Sequence, residues 1–335
     1  MTTTPVNANR RRIALAAAGL LLNCAGSRIA AAASPSSWPN KAIRIVVPFA
    51  PGGASDTIAR ILSEQLAKRL EQPVIIDNKP GGATIIGVDS VAKSAADGNT
   101  ILLAGVGSFS VLPALRKTLP FDVERDFAPI ALVNYTPNIL VTASEKPYRT
   151  LAELLQAAKN HPNTIRYATY GDGSANHLCG ALLAHAAGVE LEAIPYKGAA
   201  DAKLALLRGE VDLSFETLAS VGGELKSGRL RALAHGGAGR TGLLPDLPGL
   251  SELGYGQAAV QPFFGMMVPA ATPEAIKSRL TKEVLEIMAQ PDVKARAVAA
   301  YLEPVAIGPA EMKTTIQAST ATFRRVAQQL KLSLD

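Results

Sequence analysis

Short apolar runs alternate with longer segments of helical periodicity over most of this chain. The first such pair spans residues 43–70, where the β-branched run IRIVV predicts a buried strand. Prolines and glycines in the segment 48–53 interrupt the run and predict a tight turn. Apolar residues of the segment 58–70 then recur at helical spacing, and Ser55 or Asp56 is expected to cap that helix.

The same alternation continues along the chain and predicts an α/β fold with a parallel or mixed sheet. Further strands or extended segments are predicted at Val74–Asp77, Asn99–Ala104, Ala128–Val133, Asn138–Val141, Ile165–Tyr170, Leu191–Pro195, Val211–Phe215, Arg229–His235 and Val260–Val268. Helices are predicted at Gly81–Ala92, Leu151–Asn160, Ala175–Ala187, Asp201–Leu207, Pro273–Ala289, Asp292–Tyr301 and Pro309–Leu330. Gly105–Ser108 is expected to form a small flexible turn.

The pattern of strand, glycine turn and helix occurs twice, at Val46–Arg60 and again at Ile165–Ala187. Extended segments near 128–143 and 229–240 are suited to paired crossovers between two sheets. A chain that leaves one lobe, builds a second and returns gives a two-lobed protein with a cleft, where ligands of α/β proteins bind. One continuous sheet is the alternative. The predicted boundaries are 38–137 plus 241–335 for lobe 1 and 138–240 for lobe 2.

The N-terminus has the pattern of an export signal. Three arginines at 10–12 precede an apolar run of 12 residues, Ile13–Cys24, and small residues follow at 30–33. This order is typical of a secretory signal peptide over residues 1–33 and predicts an exported protein. The general secretory and the twin-arginine routes both stay open.

The charge of the chain comes mostly from that signal. The sequence has 34 basic and 28 acidic residues, a net charge of +6. Residues 1–33 hold four arginines and no acid, so removing them leaves 30 basic and 28 acidic residues. The basic balance therefore does not indicate a nucleic-acid partner. No apolar run after the signal reaches the roughly 18 residues that a membrane helix needs.

The sequence contains no recognisable catalytic or metal-binding motif. It lacks a phosphate-binding G-x-x-x-x-G-K-[ST] loop, an H-E-x-x-H pair and a G-x-S-x-G elbow. The motif G-x-G-x-x-G at 237–242 follows a predicted strand, but Pro245 prevents the helix that dinucleotide binding requires. The four histidines show no metal-ligand spacing, and Cys179 in an apolar helix is expected to be a buried, inert thiol. We therefore predict a non-enzymatic protein without a metal or cofactor.

Two glycine turns are the candidate binding elements. The first, with Gly52 and Gly53, leaves free backbone N–H groups at a helix N-terminus, which suits an anion such as a carboxylate. The second precedes the helix at 175–187, where Ser174 offers a hydroxyl and His177 a ring N–H. The alternatives are that the first turn is only a connection, that Ser174 is only a helix cap, and that His177 is solvated or satisfied in the core.

Three further side chains follow predicted strands. Phe49 is expected either to wall a pocket or to pack in the core. Ser108 lies past the third strand and has a hydroxyl for a ligand. Glu216 lies at the carboxyl end of another strand, where it would repel anions, bind a ligand amine or cap a helix.

Several motifs, in the right order, carry a resemblance to a known family. These are Pro48–Gly53, Asn78–Gly81, Asp126–Pro129, Gly171–His177 and Pro195–Gly198. With them the chain resembles the Bug-type substrate-binding proteins of tripartite tricarboxylate transporters over roughly residues 38–333.

This resemblance implies a periplasmic, two-lobed α/β protein of the type II-like periplasmic-binding-protein fold, with the ligand cleft between the lobes. It implies a monomeric receptor that binds a small organic carboxylate and delivers it to membrane transporter subunits, with no nucleic acid as partner. The implied ligand-binding residues are Phe49, Gly52, Gly53, Ala54 and Asp56 in the first lobe and Gly171, Ser174 and His177 in the second, with Ser108 and Glu216 at the border of the pocket. Asp56 is expected to order its turn rather than to touch the anion.

The chain also departs from the family pattern beside the expected pocket. Ile85 stands where a polar residue is common, Ser108-Phe109-Ser110 differs from the usual polar run, and Glu216-Thr217 replaces a common Asp-Asn pair. An unusual or more apolar ligand is therefore expected. Two alternative functions stay open, a ligand-binding sensor that docks on a membrane kinase and an exported α/β enzyme.

Overall fold

A computed structural model describes residues 38–330 apart from residues 172, 173, 197, 238 and 239. The predicted signal peptide over residues 1–33 lies outside the described residues, as do parts of the second glycine turn and of the G-x-G-x-x-G motif. The unit described below begins at Pro39.

Strands and helices alternate, as the apolar pattern predicts. The strands are β1 (Ile43–Val47), β2 (Val74–Asn78), β3 (Thr100–Gly105), β4 (Phe127–Tyr135), β5 (Asn138–Ala143), β6 (Arg166–Thr169), β7 (Glu192–Pro195), β8 (Leu213–Thr217), β9 (Leu230–His235), β10 (Phe263–Pro269) and β11 (Glu303–Ile307). The helices are α1 (Ala54–Leu70), α2 (Ile85–Ala92), α3 (Leu112–Leu115), α4 (Val123–Asp126), α5 (Leu151–Asn160), α6 (Ala175–Ala187), α7 (Ala199–Leu207), α8 (Leu218–Lys226), α9 (Glu274–Ala289), α10 (Pro291–Ala299) and α11 (Pro309–Leu330).

The strands form two mixed sheets. Sheet 1 has six strands in the order β11-β4-β10-β3-β1-β2, and sheet 2 has five in the order β7-β6-β8-β5-β9. In sheet 1, β1 runs parallel to β2 and β3, whereas β10 runs antiparallel to β3 and β4. In sheet 2, β6 runs parallel to β7 and β8, whereas β5 runs antiparallel to β8 and β9. Two sheets with helices packed on them make a two-lobed α/β fold, as predicted, rather than one continuous sheet.

The chain passes between the two sheets at two places. β4 ends at Tyr135 and β5 begins at Asn138, so the first passage is very short. The second passage connects β9 to β10, and a 2.6 Å hydrogen bond from the Gly236 N–H to the Asn138 carbonyl ties it to the first. A further bond from the Thr136 N–H to the Pro262 carbonyl, 2.9 Å long, joins the same two segments. The exact lobe boundaries at 137 and 241 stay a prediction.

The core lies between helices and sheets. β1 and β3 are almost completely buried, because sheet 1 is covered on both faces. Ile58, Leu62 and Leu66 of α1 are fully buried, and they share the face that the helical spacing predicts. The cap differs from the prediction: Gly53 is the N-cap, and Ser55 and Asp56 are buried inside the first turn.

Other elements also differ from the sequence-based expectation. Gly105–Ser108 is not a flexible turn, since β3 runs to Gly105 and a π-helical turn at Gly107–Val111 leads into α3. The packing of this segment on α11 explains the difference, because Phe109 is buried and the Ser110 hydroxyl donates to the Ile316 carbonyl at 3.2 Å. α4, α8 and the edge strand β11 were not predicted from the sequence, and in β11 Pro304 weakens the strand pattern.

No helix of the described part of the chain is both long and apolar enough to cross a membrane.

Candidate ligand-binding site

A cavity of about 550 Å³ lies between turns of the two sheets. This volume is typical of a small-molecule site. From the segments around sheet 1 its wall contains Pro48, Phe49, Ala50, Pro80, Gly81, Ala83, Thr84, Gly105, Val106, Gly107, Val111, Leu112, Pro262, Phe263 and Phe264. From those around sheet 2 it contains Asn138, Tyr170, Ser174, Ala175, Asn176, Phe215 and Thr217.

The first glycine turn is fixed by the Asp56 carboxylate. This side chain accepts hydrogen bonds from the Gly52 N–H at 3.0 Å and from Asn78 Nδ2 at 3.1 Å. Arg60, one helical turn later, donates two more at 2.8 and 3.2 Å. Asn78 Nδ2 also donates to the Phe49 carbonyl at 3.2 Å. The network therefore holds the backbone of the turn from Phe49 to Gly52.

The charge state of Asp56 follows from the same contacts. Burial raises the pKa of this carboxyl group, but the hydrogen bonds from Arg60, Gly52 and Asn78 outweigh burial and hold the pKa below its usual range. Asp56 is therefore ionised at neutral pH, and its negative charge is balanced by hydrogen bonds within the protein. Gly52 has a φ of 91°, which favours glycine, so this turn depends on residue type as well as on the carboxylate.

Two phenylalanines close the cavity beside this turn. The rings of Phe49 and Phe264 pack edge to face, with their centroids 5.9 Å apart and their planes at 85°. Phe264 lies on β10 next to Gly105 of β3, where a Cβ would come within 2.9 Å of its ring. Sheet 1 therefore contributes a rigid aromatic wall.

The second glycine turn ends at the N-cap of α6. Ser174 caps this helix: its hydroxyl oxygen accepts from the His177 N–H at 3.4 Å and lies 2.6 Å from the Gly171 carbonyl oxygen, to which it donates. Asn176 lies in the first turn, and its Oδ1 accepts from the Tyr170 N–H at 3.2 Å and the His177 N–H at 3.1 Å. These bonds fix the orientation of the Asn176 amide.

The other end of that amide is unpaired. Asn176 lines the cavity, but its Nδ2 is buried behind the cavity surface and has no hydrogen-bond partner in the described part of the chain. A buried donor without a partner costs about 1–3 kcal/mol. Asn176 is therefore a polar candidate for ligand contact on this wall. It was not among the residues predicted from the sequence.

Ser174→Ala is expected to lower the free energy of unfolding by about 1 kcal/mol, because the cap of α6 is lost. The melting temperature of the variant measures this effect. Thr150→Ala is the matched control, since Thr150 caps α5 with a 3.2 Å bond to the Glu153 N–H and is not part of the cavity wall. Both variants should lose similar stability, and only Ser174→Ala should also weaken ligand binding. Equal affinity of the two would contradict a role of Ser174 in the site.

Glu216 lies behind the cavity wall rather than on it. Its carboxylate is fully buried and accepts from the hydroxyls of Tyr170, Ser214 and Ser220, the last two at 2.7 and 3.1 Å. Burial raises the pKa of Glu216, although the three hydroxyl bonds act in the opposite direction. Tyr170 does line the cavity, so Glu216 positions a wall residue instead of presenting its own charge.

The structure places the predicted site residues in two groups. Phe49 and Ser174 line the cavity, whereas the other predicted residues do not, and their roles in binding stay a prediction. Gly52, Gly53, Ala54 and Asp56 form the first turn and the start of α1, Gly171 and His177 flank the second turn, and Ser108 and Glu216 are fully buried.

Two of these residues are engaged by neighbours. Ser108 Oγ lies 2.8 Å from Thr84 Oγ1, which is on the cavity wall. The His177 ring stacks on Tyr167 with centroids 6.3 Å apart. Neither side chain faces the cavity directly.

The other reactive groups considered in the sequence are the Cys179 thiol and possible metal ligands. Cys179 is fully buried as expected, and burial raises the pKa of its thiol to about 12. No cluster of three or more potential metal ligands occurs among the residues that the structure describes.

A comparison with known families shows to which family the chain belongs. The sequence model of the tripartite tricarboxylate transporter family receptors matches residues 58–332. The chain belongs to this family. Protein BugT of Bordetella pertussis is 33% identical over 322 residues, which are 95% of this chain and 98% of BugT. The resemblance to Bug-type receptors is thereby confirmed.

Solved structures agree with this assignment. Rpa4515 of R. palustris, in a structure with adipate, is 29% identical with a TM-score of 0.80, over 88% of this chain and 99% of that one. MatC of Rhodopseudomonas palustris, in a structure with bound malate, is 28% identical with a TM-score of 0.75, over 86% and 99% of the two chains. Structural neighbours also include a periplasmic binding protein of the Bug type. The family consists of solute receptors, and relatives of this chain bind small carboxylates.

Proposed function

We propose that this protein is an extracytoplasmic solute receptor that binds a small organic carboxylate in the cavity between its two lobes. The observation that carries this proposal is the cavity of about 550 Å³ between the two sheets, which the first turn of α6 lines with Ala175 and Asn176. A donor at a helix N-terminus favours an anion, because the free N–H groups and the helix dipole act in the same direction.

The contacts of such a site can supply the free energy that micromolar ligand binding requires. A hydrogen bond to a charged group contributes about 1.5–3 kcal/mol, and a micromolar complex requires about 8 kcal/mol. Three or four such bonds, together with apolar contacts from the aromatic wall, offset the costs of immobilisation and lobe closure. Thr217 lies on the same wall as Asn176 and offers a hydroxyl donor, whereas Asn138 Nδ2 already donates to Cys179 Sγ at 3.3 Å.

The relatives support a carboxylate as the ligand class. Structures of two of them contain adipate and malate. The family assignment supports a receptor that passes its ligand to membrane transporter subunits and catalyses no reaction, and the predicted export signal supports a periplasmic location.

Gly107→Leu is expected to reduce carboxylate affinity at least about tenfold while the protein stays folded. Gly107 lines the cavity, and a Cβ at this position meets no heavy atom within 4 Å. The new side chain therefore enters the cavity without a clash and takes the volume of the ligand. Isothermal titration calorimetry gives the affinity, and the melting temperature reports on folding.

Gly223→Leu provides the matched control. Gly223 lies on α8, is exposed and likewise has no heavy atom within 4 Å of a Cβ. The control variant should bind as the wild type does. Unchanged affinity of a folded Gly107→Leu variant would contradict the placement of the ligand in this cavity.

A further inference from the structure

We propose that the cavity selects carboxylates that carry one charged end and an apolar body, in preference to dicarboxylates. This inference rests on the proposed function and specifies its ligand class. The observation behind it is that the two lobes contribute chemically different walls to one cavity.

The wall from sheet 1 is apolar. Phe49, Val106, Val111, Leu112 and Phe264 are among the apolar side chains that line it. All of its segments (48–50, 80–84, 105–112 and 262–264) are described by the structure, and Thr84 is the only polar side chain that they place on the cavity. Thr84 Oγ1 is already within 2.8 Å of Ser108 Oγ. No charged side chain of these described segments lines the cavity.

The wall from sheet 2 holds more polar side chains. Asn138, Tyr170, Ser174, Asn176 and Thr217 line it together with Ala175 and Phe215. The hydroxyls of Tyr170 and Ser174 and the Asn138 amide already donate within the protein. A single carboxylate bound to this wall would therefore meet the N–H groups at the start of α6 and the Thr217 hydroxyl. The rest of the ligand would then point toward the phenylalanines.

A second carboxylate at the far end of a ligand would meet the apolar wall. It would lose hydration there without a charged partner, and such desolvation is strongly unfavourable. The free N–H groups at the start of α1 do not compensate, because Gly52, Gly53 and Ala54 do not line the cavity. The nearby cation Arg60 donates to Asp56 and is thus already paired.

An apolar ligand body gains from the same surface. Burying it releases water from the ligand and from the wall. The edge-to-face pair of Phe49 and Phe264 also presents ring edges and faces to which an aromatic ligand ring can pack at favourable geometry. Ligands such as substituted benzoates or medium-chain fatty acids combine one carboxylate with such a body.

Matched ligand pairs test this selectivity by titration calorimetry on the purified protein. 4-Methylbenzoate and terephthalate share one ring and differ in whether the far substituent is a methyl group or a carboxylate. Hexanoate and adipate form the corresponding aliphatic pair. We expect the monocarboxylate of each pair to bind at least about tenfold more tightly.

A charge placed on the apolar wall should reverse the order. Phe49→Arg brings a guanidinium to the far end of the ligand, so terephthalate should then bind more tightly than 4-methylbenzoate. Phe49→Leu is the control, since it keeps the wall apolar and should keep the wild-type order. Melting temperatures of both variants show whether they are folded.

The outcomes separate the two proposals. Tighter binding of both dicarboxylates by the wild type would overturn the selectivity and leave the receptor function in place. An unchanged order in a folded Phe49→Arg variant would also overturn it, because the wall would then not face the distal end of the ligand. Failure of the wild type to bind either pair, or any other carboxylate, would overturn the receptor function and the selectivity together.

Discussion

Asn176→Asp is expected to weaken carboxylate binding by about 100-fold or more while the fold stays intact, a loss of about 2.8 kcal/mol. The new carboxylate keeps an oxygen where Oδ1 accepts from the Tyr170 and His177 N–H groups. Its second oxygen replaces the unpaired Nδ2, so a residue of the cavity wall then carries a negative charge. A buried donor is lost and a buried repulsion is added, so both changes act against an anion.

In this variant the ligand affinity should fall much more than the stability of the fold. A negative charge in the first turn of α6 interacts favourably with the helix dipole, but one oxygen of the buried carboxylate has no donor, so the melting temperature should fall while the variant stays folded. Titration calorimetry with a carboxylate that the wild type binds measures the affinity.

Asn160→Asp is the control for net charge, because Asn160 is exposed at the end of α5 and its change adds the same charge. It should leave the affinity unchanged. Wild-type affinity in a folded Asn176→Asp variant would show that the anion binds elsewhere.

Asp56→Ala is expected to lower the free energy of unfolding by about 2–4 kcal/mol. The side chain is 3% exposed and accepts hydrogen bonds from the backbone, from an amide and from a guanidinium. Removing it leaves the Gly52 N–H without its acceptor and leaves Asn78 Nδ2 with only the Phe49 carbonyl. Because Arg60 is largely exposed, the ion pair contributes only part of this loss. Chemical denaturation monitored by circular dichroism measures the difference.

Glu64→Ala is the matched control on the same helix. Glu64 accepts from Lys68 at the same i,i+4 spacing, 2.9 Å away, and pairs with Arg296 of α10 at 2.9 Å, but all three side chains are exposed. Exposed pairs contribute about 0–1 kcal/mol, so the control should be nearly as stable as the wild type. Equal stability of the two variants would contradict a structural role for Asp56. Ligand affinity should fall only in Asp56→Ala, because only that variant loosens the turn that carries Phe49.

The lowered pKa of Asp56 gives this stabilisation a pH dependence. A carboxyl group whose pKa is lower in the folded than in the unfolded state stabilises the fold above its unfolded pKa, near 3.9. The contribution is lost as the pH falls from there toward the folded value. Wild type and Asp56→Ala should therefore differ most near neutral pH and converge under acid conditions.

The fold could be predicted where one local pattern determined the structure. The β-branched run at Ile43–Val47 is buried on both faces of β1, and the apolar residues of α1 lie on the helical face that their spacing predicts. The Gly107–Val111 segment could not be predicted in this way. Its glycine and serines are typical of a turn, and only its contact with α11, which is distant in sequence, makes it helical.

Part of the site could likewise be predicted from local sequence patterns. Glycine turns before two helices indicated a ligand site from composition and order alone, and the cavity is lined by Phe49 from one turn and by Ser174 from the other. Asn176 was missed because nothing in its local sequence shows that Oδ1 is used by backbone N–H groups and Nδ2 is left unpaired. The apolar wall likewise comes from β10 and from the segment after β3, which only the sheet topology brings together. Ile85 and Phe109, as departures from the family pattern, led to the expectation of a more apolar ligand, which stays a prediction.

A comparison of carboxylates with their primary amides tests the central claim most directly. Saturable binding of at least one carboxylate to the purified protein should raise its melting temperature as the ligand concentration increases, because the ligand binds only the folded state. The amide of the same compound has the same body without the charge and should give little or no shift. An equal shift with the amide, or no shift with any carboxylate, would contradict a receptor whose cavity recognises a carboxylate.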